Sequence, residues 1–393
     1  MTRKLTFPYS LIMAFYWANF AVLLNYASVY LLGRGLPNTS IGLLISAASL
    51  LAAAAQPLLG SYADRPESPS VKKLLLIGCL CFLLLAAGII FSADVSSPLL
   101  IVTYTLAITV MQSMMTLTNA LGTVSARAGH RVNFGIARGI GSLAYALVSL
   151  AIGSAAARLG NEIIPLVSIV LYAALFLCVL PFPFKKPETP PKSASLRKPF
   201  LRRYPAFSIV LAASVCLYTS HSLLNNFMFQ ILSSKGGGSE ALGISSAVGA
   251  LVEIPMMFLF ARLLRRIPVR RWMIISGFAF LLKSIGSLLV PNVYGFYAVQ
   301  TLQLFAFAVL AVASVYYADE CMAPEDAVKG QAFLAMTSTV GSVIASATGG
   351  WLIDSFGIPV LLGVSIAASA LGAVIMYLGI DIFGKKPLPA KKF

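Results

Sequence analysis

The chain has 393 residues, 59% of them hydrophobic and only 11% charged, with a formal net charge of +16 and a mean hydropathy of +0.87. Globular domains in water carry about 25% charged residues, so this composition excludes a soluble protein and leaves no room for a separate soluble domain. Apolar runs of about 20 residues recur along the whole length, as expected of an all-α polytopic membrane protein whose backbone polar groups are satisfied inside each helix.

Twelve spans are predicted, at about 9–31, 39–61, 73–93, 98–122, 134–157, 163–183, 205–231, 241–263, 272–291, 295–317, 329–352 and 358–380. The opening residues lack the small-residue cleavage pattern of a signal peptide, so the first span is expected to stay. It carries the aromatic run AFYWANF (Ala14–Phe20), then Asn25 and Tyr26, which at mid-span are expected to face a cavity. The alanines of 47–55 in span 2 offer a small face for close helix approach. Span 4 places Gln112 and Asn119 two turns apart on one face, among packing residues Met111, Met114 and Met115. Span 5 opens with NFGIARGIGS (Asn133–Ser142), which contains Arg138.

The longest hydrophilic stretch, KKPETPPKSASLRKPFLRRY at 185–204, divides the chain into bundles at 1–184 and 205–393. In span 7, YTSHSLLNNFMFQ (Tyr218–Gln230), His221 and Asn225 are i and i+4 and share a face. They suit solute binding, proton handling or a plain interhelical hydrogen bond. Spans 8 and 9 flank a basic knot, Arg262, Arg265, Arg266, Arg270 and Arg271, and hold one acid, Glu253, and one base, Lys283. If the two spans form a hairpin, a rise of about 1.5 Å per residue puts both charges within ~3 Å of one depth. A charge at that depth costs at least ~2.5–3.5 kcal/mol, so the two read as a functional pair. The alternative is that Lys283 snorkels while Glu253 caps a break at Pro255. Span 10 adds Gln300 and Gln303, and GSVIASATGG (341–350) is a second small face.

The basic residues gather in alternate loops, with 25 of the 29 on the side of the N-terminus. That is a membrane-orientation pattern with both termini cytoplasmic, in a plasma membrane, rather than a nucleic-acid surface. The five cysteines read as small hydrophobes within or at the end of spans, neither disulfides nor metal ligands. Of the thirteen acids, Glu253 alone is placed within a span. Alternating exposure of Glu253 to water and to Lys283 would change its hold on a proton, which is what coupling needs. A proton is expected rather than sodium, since one acid without carbonyl-rich helix breaks suits a proton.

Internal symmetry supports a repeat. Ile41-Gly42 and Gln56-Pro57 before Asp64-Arg65 recur about 200 residues later as Leu242-Gly243 and Ile254-Pro255 before Arg262. GSYADRPESPSVKK (Gly60–Lys73) resembles the loop between helices 2 and 3 of the major facilitator superfamily, with its distal Gly-Arg-Arg portion replaced. NFGIARGIGS is similar to the F-G-x-x-R-x-x-G of the oligosaccharide–proton symporter branch, and IISGFAFLLKSIGSLL (Ile274–Leu289) to its helix 9, with Lys283 where that branch has a buried arginine. The resemblance implies two pseudo-symmetric six-helix bundles, a central cavity lined by spans 1, 4, 7 and 10, a gate at Asp64 and Arg65, and action as a monomer. The branch's acidic partner for Arg138 is missing, because no acid lies between Asp94 and Glu162, and Gln303 and Ala306 stand where the branch has a His and a Glu.

The expectation is a secondary transporter, a proton-coupled symporter of a small polar organic solute such as a sugar, nucleoside or aromatic acid, with no cofactor beyond the proton gradient. Coupling falls to Glu253, Lys283 and His221, and solute binding to Asn25, Tyr26, Asn119, Arg138, His221, Asn225 and Gln303. The alternative is a proton-coupled exporter of amphipathic compounds. A membrane enzyme or receptor would need a catalytic cluster or sensing domain, for which the sequence offers no metal-spacing set and no Walker-type loop.

Overall fold

A computed structural model describes residues 4–63, 65, 67–92, 98–128, 130–184, 203–322 and 324–381. Among these residues the chain is helical apart from turns and one bridge pairing Lys4 with Arg131. In the first half, α1 (Thr6–Phe20) runs through a π-helical stretch (Ala21–Asn25) towards α2 (Ala27–Gly33), followed by α3 (Asn38–Ala63), α4 (Val71–Phe91), α5 (Pro98–Arg127), α6 (Phe134–Leu159) and α7 (Ile163–Val179). In the second half come α8 (Pro205–Asn226), α9 (Met228–Ser233), α10 (Ser239–Leu263), α11 (Val269–Leu289) and α12 (Val293–Gln300). A 3₁₀ turn (Thr301–Leu304) then leads to α13 (Phe307–Cys321), α14 (Pro324–Phe356) and α15 (Ile358–Asp381).

Eleven spans among the described residues are long and apolar enough to cross a membrane, and the sixth predicted span is the 17-residue α7. It stops at Leu180 because Pro181 and Pro183 cannot continue a helix. Large apolar side chains such as Leu84, Phe91, Leu147 and Phe258 point outward, as a lipid-facing surface requires. Side chains cap the starts of α4, α6 and α12. Ser70 Oγ accepts from the Lys73 N–H (3.3 Å), Asn133 Oδ1 from Ile136 (3.0 Å) and Asn292 Oδ1 from Gly295 (2.9 Å).

Spans 1, 7 and 10, predicted as continuous, are broken in their interiors. Tyr26 (φ −95°, ψ 11°), Phe227 (φ −113°, ψ 21°) and Ala306 (φ −79°, ψ −88°) leave the helical path. None of these is Pro or Gly. Pro57 and Pro255, by contrast, sit inside unbroken helices, so Glu253 caps no break at Pro255. At two of the breaks a hydroxyl from a neighbouring helix donates to a main-chain carbonyl. Tyr104 Oη donates to the Leu23 carbonyl (2.7 Å) and Ser276 Oγ to that of Ala306 (2.7 Å).

The repeat is sharper in the structure than in the sequence. The break after Asn25 recurs after Asn226, and Gly35 recurs as Gly236, both at an offset of 201 residues; the two glycines share φ 82°. Only a residue without a Cβ turns the chain there at no steric cost.

The chain divides into two compact units, Met1–Ser193 with Gly237–Leu251, and Ala194–Gly236 with Val252–Phe393. In the first, buried tyrosines fasten helices by donating to main-chain carbonyls: Tyr9 to Thr118 (3.2 Å), Tyr16 to Met111 (3.0 Å) and Tyr26 to Ser149 (2.8 Å). The second is built on Phe207, Leu217, Phe260, Trp272 and Phe280. There α14 and α8 come so close that a Cβ on Gly341 would stand 2.7 Å from the Thr219 nitrogen.

Candidate functional site

The second unit brings together the charged residues singled out by sequence. Lys283, on α11, is only 1% exposed, so it does not snorkel. Its Nζ donates to Gln303 Oε1, and Gln303 Nε2 donates to Glu253 Oε1 at 3.0 Å. One neutral amide thus bridges an ammonium and a carboxylate drawn from three different spans. The 3₁₀ turn Thr301–Leu304 carries Gln303 and buries it.

His221 stands on the adjoining face of α8. Asn225 Nδ2 donates to the imidazole (2.8 Å to Nε2), so the two share the face read from their spacing. The ring stacks on Phe307 at 4.6 Å and 13°, and meets Phe280 edge-on at 5.9 Å. Phe280 precedes Lys283 by one turn on α11, and Phe307 follows Gln303 across the span-10 break. Neither phenylalanine was singled out by sequence. A ring of buried hydroxyls then fixes the register. Ser220 lies 2.9 Å from both Ser284 and Ser365, and those two are 3.2 Å apart. Ser220 adjoins His221 and Ser284 adjoins Lys283, so this ring holds α8 and α11 where the histidine and lysine need them. A cavity of about 160 Å³ is lined by Tyr218, Ser314 and Gln331 among others, and Tyr218 stands one turn before His221 on α8. The cavity has room for several waters at about 30 Å³ each.

In the first unit Arg138 lies half-buried one turn into α6. Its guanidinium carbon sits 3.9 Å over the Trp17 ring, and Nη1 donates to Ser142 Oγ at 2.7 Å. Asn25 Nδ2 donates to Ser246 Oγ (2.9 Å). Tyr26, fully buried, donates from its hydroxyl towards the carbonyls of Ser149 (2.8 Å) and Ser239 (3.1 Å). These two residues of the expected solute set are thus engaged with protein groups beside the span-1 break. Asn119 is half-buried, and its carbonyl accepts from Thr123 Oγ1 at 3.2 Å. Asn19 is structural, accepting from Ser168 Oγ and donating to Met111 Sδ (3.5 Å). Of the expected gate pair, Arg65 is exposed in the turn after α3 and Asp64 lies outside the described residues.

Polar groups gathered at interrupted spans of a two-part helical bundle are the build of a secondary membrane transporter. Residues 7–362 match the MFS_1 like family. The chain therefore belongs to that family, within the major facilitator superfamily, and is a transporter and not an enzyme. It is similar to the maltose permease of Geobacillus stearothermophilus, at 24% identity over 96% of this chain and 94% of that one. Among solved structures it is similar to a variant of the nucleoside transporter NupG, with a TM-score of 0.82 and 16% identity over 97% of this chain and 100% of the other. It is also similar to a bacterial homologue of the human lysosomal transporter Spinster, with a TM-score of 0.68 and 14% identity over 98% of each chain. At these identities the solved structures speak for the fold.

Proposed function

We propose that the protein is a proton-coupled symporter that takes up a small polar organic solute, a sugar, nucleoside or aromatic acid, by alternating access. The observation that carries this is the Lys283–Gln303–Glu253 chain. Three broken spans remove the argument that preferred a proton over sodium for want of carbonyl-rich breaks. The preference now rests on a carboxylate tied through an amide to an ammonium, an arrangement whose net charge changes by one when Glu253 takes a proton. Solute contacts fall to Arg138 in the first unit and to His221, Asn225 and Gln303 in the second. A hydroxyl of the solute competing for the Gln303 amide would loosen its hold on Glu253, linking occupancy to protonation. The names of the similar proteins, a maltose permease and a nucleoside transporter, support a hydroxyl-rich solute. The abundance of Lys and Arg at the N-terminal side supports cytoplasmic termini, with the protein acting as a monomer in the plasma membrane.

The test is uptake of radiolabelled maltose, uridine and 4-hydroxybenzoate into proteoliposomes under an imposed proton gradient, with a sodium gradient as the parallel arm. Accumulation of one class that collapses with a protonophore is expected. Accumulation driven by sodium alone, or pH-dependent extrusion of lipophilic cations with none of the three probes moved, contradicts the proposal, and the latter would mark an exporter.

A further inference from the structure

The first unit contains an arrangement that none of the motifs explains. Trp17 lies in the last turn of α1 and Arg138 near the start of α6, and the guanidinium carbon sits over the indole ring, 3.9 Å from its centroid. Two features of α6 build this contact. Ser142, one turn after Arg138, accepts from Nη1 at 2.7 Å and sets the direction of the side chain. Gly141 supplies the space. A Cβ there would come within 2.7 Å of Trp17 Cδ1 and 3.3 Å of the Met13 carbonyl oxygen, so any larger residue would push the indole away. On its other sides the indole is braced by Tyr16, edge-on at 5.7 Å, and Phe20 at 5.2 Å. Trp17 and Arg138 both remain half-buried, so the stack borders accessible space rather than filling the core.

An arginine stacked on an aromatic face is restricted to one plane, and its N–H groups then point outward in that plane. A planar fork of donors matches two oxygens held side by side. We propose that Trp17 is a positioning residue for solute recognition. It holds the Arg138 guanidinium in the plane from which an N–H edge reads a pair of adjacent oxygens on the solute, vicinal hydroxyls or a carboxylate. This rests on the reading of Arg138 as a solute-binding residue, and it adds what orients Arg138 and which chemical feature is recognised. Stacking on tryptophan is the strongest of the aromatic cation contacts, and phenylalanine retains part of it.

The experiment is a double-mutant cycle on transport in proteoliposomes, with Trp17→Leu, Arg138→Lys, the combination, and Trp17→Phe as the conservative control. The probes are uridine and 2′-deoxyuridine, which differ in a vicinal hydroxyl pair, with maltose and 4-hydroxybenzoate as the second diol and the carboxylate. For the probe that is carried, Trp17→Leu is expected to raise KM roughly fivefold with little change in maximal rate, and Trp17→Phe less than about twofold. In the Arg138→Lys background Trp17→Leu is expected to add almost nothing, because the plane it maintains is already lost. Gly141→Ala, which displaces the indole without altering it, should raise KM in the same sense. A diol reader loses 2′-deoxyuridine while retaining uridine; a carboxylate reader carries 4-hydroxybenzoate and neither nucleoside.

Fold-changes that multiply in the double variant, or a fall in maximal rate at constant KM, overturn the role of Trp17. An Arg138→Lys protein with altered KM beside a silent Trp17→Leu refutes the role of Trp17 alone. An Arg138→Lys protein with unaltered KM refutes the underlying assignment of Arg138, as does failure to carry any of the probes.

Discussion

Replacing Glu253 by Gln removes the charge while keeping the shape. The carboxylate Oε1 now accepts from Gln303 Nε2 at 3.0 Å, and an amide oxygen at the same place can accept that bond. The scaffold should therefore survive while the protonatable oxygen is lost. With Glu253 as the proton carrier, one proton is expected to accompany each solute. About one pH unit is worth ~1.4 kcal/mol and about 100 mV a further ~2.3 kcal/mol, which together sustain roughly 500-fold accumulation of a neutral solute at 1:1 coupling. The assay is steady-state accumulation in proteoliposomes with both gradients imposed, alongside exchange of labelled against unlabelled solute with none. The unaltered protein should approach the several-hundred-fold limit. Glu253→Gln should hold the solute at about the outside concentration while exchanging it at a rate within about threefold of normal. Accumulation of several hundred-fold by the variant would refute the reasoning, since the proton would then travel on another group.

Further substitutions test the surroundings. Lys283→Met leaves Gln303 Oε1 without its donor and the half-buried carboxylate without its nearby cation; the loss should cost about 1–3 kcal/mol, and adding Glu253→Gln should recover part of it. Denaturation in detergent measures both, and losses that simply add would contradict the coupling. Gly341→Ala places a Cβ against main-chain atoms at 2.7–2.8 Å that cannot swing aside. Overpacking of this kind should cost about 1–3 kcal/mol in the same assay, and no loss would mean that α14 has room to shift. Tyr26→Phe removes the donor shared by the Ser149 and Ser239 carbonyls, at a cost of about 1–3 kcal/mol. A cysteine placed at Ser239 should then react faster with a membrane-impermeant maleimide, and an unchanged rate would show that the hydroxyl does not hold this contact.

Composition alone revealed the membrane class, and counting from the arginine knot placed Glu253 and Lys283 at matching depth, because helical rise converts sequence distance to depth directly. The partner between them was harder to read. Gln303 was visible as a polar residue in span 10, but its bridging role depends on a 3₁₀ turn that has no proline or glycine to announce it. The break at Tyr26 was equally hidden, since the hydroxyl that donates to the Leu23 carbonyl belongs to Tyr104, 81 residues further along the chain. Pro57 and Pro255 were the visible interruptions, and the helices run straight through them. Trp17 stood among other aromatics in AFYWANF, and nothing along the chain marked it as the partner of Arg138. That pairing arises only where Gly141 lets α1 approach α6.

The central claim is that solute and proton move together through Glu253. It is tested most directly by adding the transported solute to proteoliposomes with no imposed gradient while the outside pH is recorded. The account expects alkalinisation outside, one proton for each solute taken up, with none in Glu253→Gln vesicles that still exchange solute. Solute entry with no pH change in the unaltered protein would contradict it.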